Sequence, residues 1–336
     1  MDNKKIIKWL LWVIFLVLAL GMISVVAFCT GAVKISIETI ISSIFKDGSP
    51  TSSTILLSIR LPRIILAIAV GGGLALVGVL LQGVFRNPLV EPYTLGISGG
   101  GCLGVCLGIV TSLGGKFGIF SLPLLGFFGS MAVVWVLYVL SMRKNVLRMK
   151  GVLLSGVMIS YITSSLIMLI MAMARVTDLH GIVFWTMGSL EESNPLLMKL
   201  VMLISLAGLI ISYFLALDLN GMSLGEEAAM HLGINVKRSK GIIFFLASFL
   251  TGSFVAVSGI IGFVGLVVPH FMRIVVGRDH RILLISSYLG GAVFLVFCDT
   301  LARVVISPLE LPVGVITGLI GGVLFIYVLS KNYKTL

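Results

Sequence analysis

The chain has 336 residues, of which 58% are hydrophobic and 11% are charged, and its mean hydropathy is +1.18. This composition excludes a soluble domain with a single core. No segment shows the alternation of about 10 residues that is typical of a transmembrane β-barrel. The formal charge of +11 is scattered through short loops without interleaved aromatic residues, which argues against a nucleic-acid partner. The sequence therefore predicts an all-α polytopic membrane protein in contact with lipid.

Apolar runs bounded by glycine, proline and charge predict ten membrane spans in a single domain, 1–336. The first run follows three lysines and resembles a signal peptide. Its apolar stretch, 6–29, exceeds the roughly 15 residues of a signal, so we interpret it as a retained span. The predicted spans are 8–29, 61–84, 93–111, 118–142, 151–174, 197–217, 241–258, 262–276, 282–302 and 312–330, with a cytoplasmic loop at 218–240.

The division of 241–276 into two spans rests on length and on charge. As one helix this stretch would rise about 54 Å, whereas the hydrocarbon core is about 30 Å thick. With ten crossings and a cytoplasmic N-terminus, 16 of the 24 lysines and arginines lie inside and 8 outside. With one crossing fewer, the cations would divide 12 to 12. The positive-inside rule therefore favours ten crossings with both termini in the cytoplasm.

Arg60 and Arg63 flank Pro62 at the start of the second predicted span, on the side that this topology places outside. Two cations at an outer boundary run against the general bias. They either anchor the span by extending to the lipid interface or bind an acidic partner.

The turn "RNPLVEPYTLG" after the second span contains two prolines, which disfavour helix. It is either a constriction at the inner end of a transport pathway or an ordinary cytoplasmic turn. The glycine triplets at 71–73 and 99–101 lack the GxxxxGK[ST] pattern of a phosphate-binding loop. We therefore expect the chain to bind no ATP and no other cofactor.

In the inner loop, Glu226 and Glu227 begin a short amphipathic helix that ends near Gly233. This helix either lies on the membrane surface or contacts a cytoplasmic partner. His270 is interpreted as a structural residue because the other histidines lie in separate segments. The four cysteines are expected to be free buried thiols, so no metal site is predicted.

Asp299 and Arg303 are four residues apart on one predicted helix face, in the order that favours an ion pair. The pair is either a purely local bridge or part of a basic group, because Arg303 reaches the same outer surface as Arg60 and Arg63.

Five strings occur in order through the chain: "RLPR", "LQGVFRNPLVEPYTLGISGG", "GEEAAMHLGI", "GFVGLVVPHFMRIVVGRDHRILL" and "DTLARVV…ELPVGVITGLIGG". Together they resemble the FecCD-type permeases of iron-siderophore, heme and vitamin B12 ABC importers. The resemblance runs from about residue 55 to the C-terminus. Many relatives have alanine before the acidic residue and the second proline, where this chain has Val90. This difference bears on the details of the gate and less on the class of protein.

The resemblance implies a type II ABC importer permease fold, with ten helices in the cytoplasmic membrane. It implies a second permease copy or close homologue, two cytoplasmic ATPase subunits that use ATP and Mg²⁺, and an extracytoplasmic binding protein. The chain itself would be a transporter permease and not an enzyme.

The resemblance also implies three sets of site residues. They are the binding-protein docking residues Arg60, Arg63 and Arg303; the cytoplasmic gate residues Asn87, Pro88, Leu89, Ser155 and Gly156; and the ATPase coupling residues Glu226, Glu227, His231, Leu232 and Gly233.

The expected function is ATP-driven import of a metal chelate, with a ferric siderophore as the leading cargo and heme or cobalamin as the alternative. An ion-coupled secondary transporter is the alternative from another class. It would usually need acidic residues near the bilayer midplane, where Asp299 is the nearest candidate. A membrane scaffold or receptor without transport is a third possibility.

Overall fold

The structure is a computed structural model that describes residues 3–31, 54–113, 118–143, 146–147, 149–192 and 194–332. Thirteen α-helices lie in these ranges. They are α1 Asn3–Cys29, α2 Leu61–Phe85, α3 Ile97–Val110, α4 Ser121–Ser141, α5 Met149–Met173, α6 Val176–Met187, α7 Pro195–Phe214, α8 Ala216–Ser223, α9 Glu226–His231, α10 Val236–Ser258, α11 Val264–Val276, α12 His280–Val304 and α13 Val313–Asn332.

Four short elements accompany these helices in the described ranges. A π-helix, Ile55–Arg60, leads directly into α2, and a 3₁₀ turn, Gly118–Phe120, precedes α4. Two antiparallel strands of two residues each, β1 Met142–Arg143 and β2 Val146–Leu147, connect α4 to α5. The predicted all-α class is thus confirmed apart from this small hairpin.

Seven helical stretches of the described chain are long and apolar enough to cross a membrane, and α3, α11 and α13 are shorter apolar helices. The stretch predicted to hold two spans is divided between α10 and α11 by the non-helical residues 259–263. Gly259 and Phe263 both have a φ of +67°, which L-residues with side chains rarely adopt. The number of crossings remains a prediction.

The central helix is α2, whose most apolar window is 89% buried by the rest of the protein. It packs most extensively against α12. Their backbones touch where Gly71 meets Gly291, because a Cβ added to either glycine would lie 2.5 Å or less from the other's carbonyl oxygen. Small residues allow this approach, which strengthens dispersion contacts between helices in lipid.

Helices α1 and α5 lie at the periphery of the bundle. Only 11% of the most apolar stretch of α1 and 17% of that of α5 is buried. Their exposed faces are apolar, as a lipid or a neighbouring membrane subunit requires.

Helices α3 and α11 both begin inside the bundle, after non-helical segments. Gly265 in the first turn of α11 faces the middle of α2, where a Cβ on Gly78 would lie 1.9 Å from the Gly265 carbonyl oxygen. Backbone of this kind is tolerated within a membrane only where protein surrounds it. Here, residues 90–92 of the turn before α3 are buried.

Candidate functional site

The three predicted docking arginines lie together at one end of the bundle, which we call the arginine end. Arg63 Nε donates to Asp299 Oδ1 at 2.7 Å, and Arg303 Nε donates to Asp299 Oδ2 at 3.1 Å. Arg63 Nη1 also donates to Glu310 Oε2 at 2.5 Å. The predicted Asp299–Arg303 ion pair is confirmed, and it extends to α2 and to the loop after α12.

Two of the three arginines, Arg60 and Arg303, also bind the C-terminal end of α1. Arg60 Nη1 donates to the Phe28 carbonyl oxygen, and Arg303 Nη1 donates to the carbonyls of Ala27 and Thr30 at 3.4 and 3.3 Å. Unpaired carbonyls at a helix C-terminus favour such cations. Arg60, Arg63 and Arg303 are consequently only 4–5% exposed in the single chain.

A cavity of about 220 Å³ lies beside Arg63 at the arginine end. It is lined by Ser58, Ile59, Arg63, Leu190, Glu191 and Glu192. Sequence reasoning missed Glu310, Glu191 and Glu192. The signal for Glu310 is its place in the "ELP" string that follows the helix of Asp299 and Arg303.

The predicted gate residues lie on two segments that the fold brings together. Asn87 Oδ1 accepts from the Leu89 N–H at 3.0 Å and closes the turn around Pro88. The turn then reaches α5, where Ser160 Oγ donates to the Tyr93 carbonyl at 3.1 Å.

Gly156 permits the closest approach between these two segments. A Cβ at this position would lie 2.8 Å from the Leu95 Cα, while the neighbouring Ser155 is partly exposed. Direct contact with α5 thus involves Tyr93 and Leu95, later in the turn than the predicted Asn87–Leu89. Sequence reasoning missed both residues.

Glu91 links the same turn to the start of α11. Its carboxylate accepts from the Phe263 N–H at 3.3 Å, and the residue is 7% exposed. Nearby, Gln82 Nε2 donates to the Gly265 carbonyl and Arg273 donates to Gln82 Oε1, both at 3.0 Å. The turn, α2 and α11 are therefore joined by a polar network inside the bundle.

The predicted coupling residues lie at the opposite end, which we call the loop end. Helix α9 begins at Glu226, and the chain turns at Gly233, whose φ is +82°. Glu227, His231, Leu232 and Gly233 are exposed. Glu226 is exposed as well, and it also accepts from Lys240 Nζ at 2.6 Å, which attaches α9 to α10.

Apolar side chains surround α9. Leu224, Met230 and Leu232 are 57–69% exposed. Three large apolar residues next to exposed acidic ones are typical of a protein contact. Only Leu232 of the three was predicted.

Among the described residues, no group of three or more His, Cys, Asp or Glu side chains is arranged to hold a metal ion. The four cysteines are free, three of them buried and Cys29 partly buried. His270 packs edge-on against Phe325, with ring centroids 6.0 Å apart.

The fold and these residues define a multi-pass helical membrane protein. Residues 15–331 match the model of the FecCD transport family, and the chain belongs to that family. It is the permease subunit of an ABC importer, as the sequence resemblance predicted.

Relatives cover almost the whole chain. The Hemin transport system permease protein HmuU of Yersinia pestis is 36% identical over 98% of this chain and 97% of its own length. The Fe(3+) dicitrate transport system permease protein FecD of Escherichia coli is 35% identical over 95% of this chain and 98% of its own. A solved inward-facing metal-chelate type ABC transporter is 32% identical, with a TM-score of 0.85 over 95% of this chain and 98% of that one.

Proposed function

We propose that this permease moves a ferric siderophore across the cytoplasmic membrane by ATP-driven alternating access. The match to the FecCD family over nearly the whole chain carries the proposal. Two relatives are permeases of a hemin and of an Fe(3+) dicitrate transport system, which supports a bulky metal chelate as the cargo class.

The proposed topology has ten crossings and two cytoplasmic termini. The seven long helical stretches would each cross once. The short helices α3 and α11 would complete their crossings with the buried non-helical segments before them, and α13 would cross last. The charge distribution supports this arrangement.

The proposed assembly contains a second permease copy or a close homologue, two cytoplasmic ATPase subunits and a binding protein. The ATPases would supply the ATP and Mg²⁺ chemistry. The contact between the turn 86–96 and α5 would form the inner gate, because it joins two elements that rigid-body motion can separate. Its small residues, Gly96 and Gly156, leave little side chain to obstruct that motion.

The exposed surface around α9 is proposed to receive the ATPase. We expect Glu227→Arg to weaken binding of the ATPase subunits to the purified permease at least about fivefold, because reversing a charge at an interface rim creates like-charge contacts. Affinity would be measured by titrating the ATPase into permease held in nanodiscs.

The matched control is Glu191→Arg, the same change at an exposed residue of the arginine end. Equal ATPase affinity in wild type and Glu227→Arg would remove α9 from the proposed interface.

The arginine end is proposed to receive an acidic group of the binding protein through Arg63. Since Glu310 already occupies one Arg63 nitrogen, Glu310→Gln should strengthen docking about threefold; a partly exposed ion pair is worth up to about 1 kcal/mol. The dissociation constant of the binding protein would be measured at two salt concentrations.

Glu191→Gln is the control, because it removes the same charge at the same end from a residue that forms no ion pair with Arg63 in the described chain. If both variants strengthen docking equally, general repulsion and not Arg63 is responsible. Weaker docking in Glu310→Gln would contradict the proposed role of Arg63.

Titrating the cognate binding protein with a ferric hydroxamate, hemin and cobalamin tests the cargo directly. We expect the ferric siderophore to bind most tightly. Tightest binding of hemin or cobalamin would replace the siderophore proposal with the corresponding alternative.

An ion-coupled secondary transporter is disfavoured by the position of Asp299. Both of its carboxylate oxygens accept from arginines, and the residue is 1% exposed. A carboxylate held in this way is poorly placed to take up and release a coupling ion.

A further inference from the structure

Helices α2 and α12 extend between the two ends of the bundle. Each has 25 residues, so each is about 37 Å long. Arg63, near the start of α2, and Arg303, near the end of α12, both lie at the arginine end, where Asp299 joins the two helices. At the other end of the bundle, α2 leads into the turn 86–96, and α12 begins beside α8.

The pair is tightly fixed along its length. Besides the Gly71–Gly291 backbone contact, Tyr288 packs over Gly72. The Tyr288 hydroxyl lies 3.0 Å from Ser205 Oγ, which donates to the Ala69 carbonyl at 2.7 Å. Packed helices of this kind shift as a unit because their contacts are not continuously deformable.

Two kinds of contact join this pair to the segment formed by α8 and α9: Leu219 packs against α2 at Gly83, and Asn220 forms hydrogen bonds to the start of α12. Asn220, on α8, accepts through Oδ1 from the His280 N–H at 2.9 Å, and His280 Nδ1 lies 2.8 Å from the same oxygen. Its Nδ2 donates to Asp279 Oδ1 at 3.0 Å. The Asn220 amide therefore accepts from His280 and donates to Asp279, the two residues at the start of α12.

Asp279 is itself firmly held. It caps α12 by accepting from the Arg281 N–H at 3.2 Å, and it pairs with the Arg281 guanidinium at 2.7 Å and with Lys5 at 3.6 Å. The hydrogen bond from Arg281 is the main reason that the pKa of Asp279 lies well below its usual range, with Asn220 adding to the effect. The carboxylate is ionised at neutral pH and keeps accepting from Asn220.

We propose that Asn220 is a positioning residue for transport: it makes α8–α9 and the α2–α12 pair move together, and so couples the loop end to the arginine end. This inference rests on the proposed roles of the two ends in ATPase coupling and in docking. It adds a residue that belongs to neither set and a physical connection between them.

Thermodynamic coupling provides a test that needs no cargo. In the assembled importer, the dissociation constant of the binding protein is measured without nucleotide and with ATP plus EDTA, which permits ATP binding and prevents hydrolysis. We expect ATP to change this constant in the wild type by a factor within the usual range of about 5–150 for coupled sites. In Asn220→Ala that factor should fall to within about twofold of unity. Docking without nucleotide and ATPase affinity should stay unchanged.

A double substitution tests whether Asn220 acts by positioning the helices or only by stabilising the fold. Asn220→Asp alone places two carboxylates together and should abolish coupling. Combined with Asp279→Asn, the amide at position 279 can donate to the carboxylate at position 220, which still accepts from His280. Its carbonyl oxygen can keep the contact with Arg281 Nη2. Only the α12 cap, which uses the same Asp279 Oδ1 as Asn220, is lost, so coupling should return. Asn194→Ala, which removes an asparagine cap on α7 at a distant site, is the control and should keep wild-type coupling.

Retained coupling in Asn220→Ala would overturn the inference, as would a wild-type importer whose docking does not respond to ATP. Failure of the double substitution to restore coupling would also refute it. Loss of nucleotide-free docking together with coupling would indicate a merely structural role. None of these outcomes decides whether the wild type imports a chelate, which uptake measurements test separately.

Discussion

Asp299→Asn should destabilise the permease more than any other single loss of charge in the described chain. Asp299 is 1% exposed and pairs with two arginines whose side chains are 7% and 4% exposed. Removing its charge leaves the buried Arg303 guanidinium without a carboxylate and leaves Arg63 with only the partly exposed Glu310. Breaking a buried pair costs about 3–5 kcal/mol. Unfolding of the purified chain in mixed detergent, followed by circular dichroism, measures the loss.

Glu310→Gln is the matched control for this effect. It also removes a carboxylate from Arg63, but the Glu310 side chain is 36% exposed, so its loss should cost at most about 1 kcal/mol. Equal losses in the two variants would show that burial at Asp299 does not set the energetics of this cluster.

Gly78→Ala should be the second strongly destabilising change. The new Cβ would lie 1.9 Å from the Gly265 carbonyl oxygen, so α2 and α11 must separate. That carbonyl also accepts from Gln82, and separation weakens the polar network around the start of α11. Overpacking of a close contact typically costs about 1–3 kcal/mol. The same unfolding measurement applies, together with ATP-dependent uptake.

Gly318→Ala tests whether alanine in a membrane helix is harmful in itself. A Cβ at Gly318 meets no atom within 4 Å, so this change should be neutral or stabilising. Similar destabilisation of both variants would mean that the Gly78–Gly265 approach is not the cause.

Hydropathy predicted most of the fold because spanning a membrane needs long apolar helices. The break at 259–263 was also accessible, since a 36-residue stretch is too long for one crossing. Hydropathy did not reveal that α3 and α11 begin deep in the bundle. Their starting points depend on long-range contacts such as Glu91–Phe263, which span more than 170 residues of sequence.

The sequence predicted which residues belong to each candidate site, but it did not predict which side chains they contact. The sequence brought Arg60, Arg63 and Arg303 to one surface, but it suggested exposed cations. The structure buries them because Asp299, Glu310 and the end of α1 supply partners from distant segments. Asn220 gave no signal, since an asparagine in a polar loop is ordinary until its partners on α12 are known.

We propose that the chain imports its cargo as part of an ATP-driven complex. The most direct measurement is cargo uptake into proteoliposomes that contain the permease with its ATPase, with the cargo-loaded binding protein outside and ATP inside. We expect the cargo to accumulate only when the permease, the ATPase, the binding protein and ATP are all present, with no uptake driven by a proton or sodium gradient. Accumulation by this chain alone under an ion gradient would contradict it.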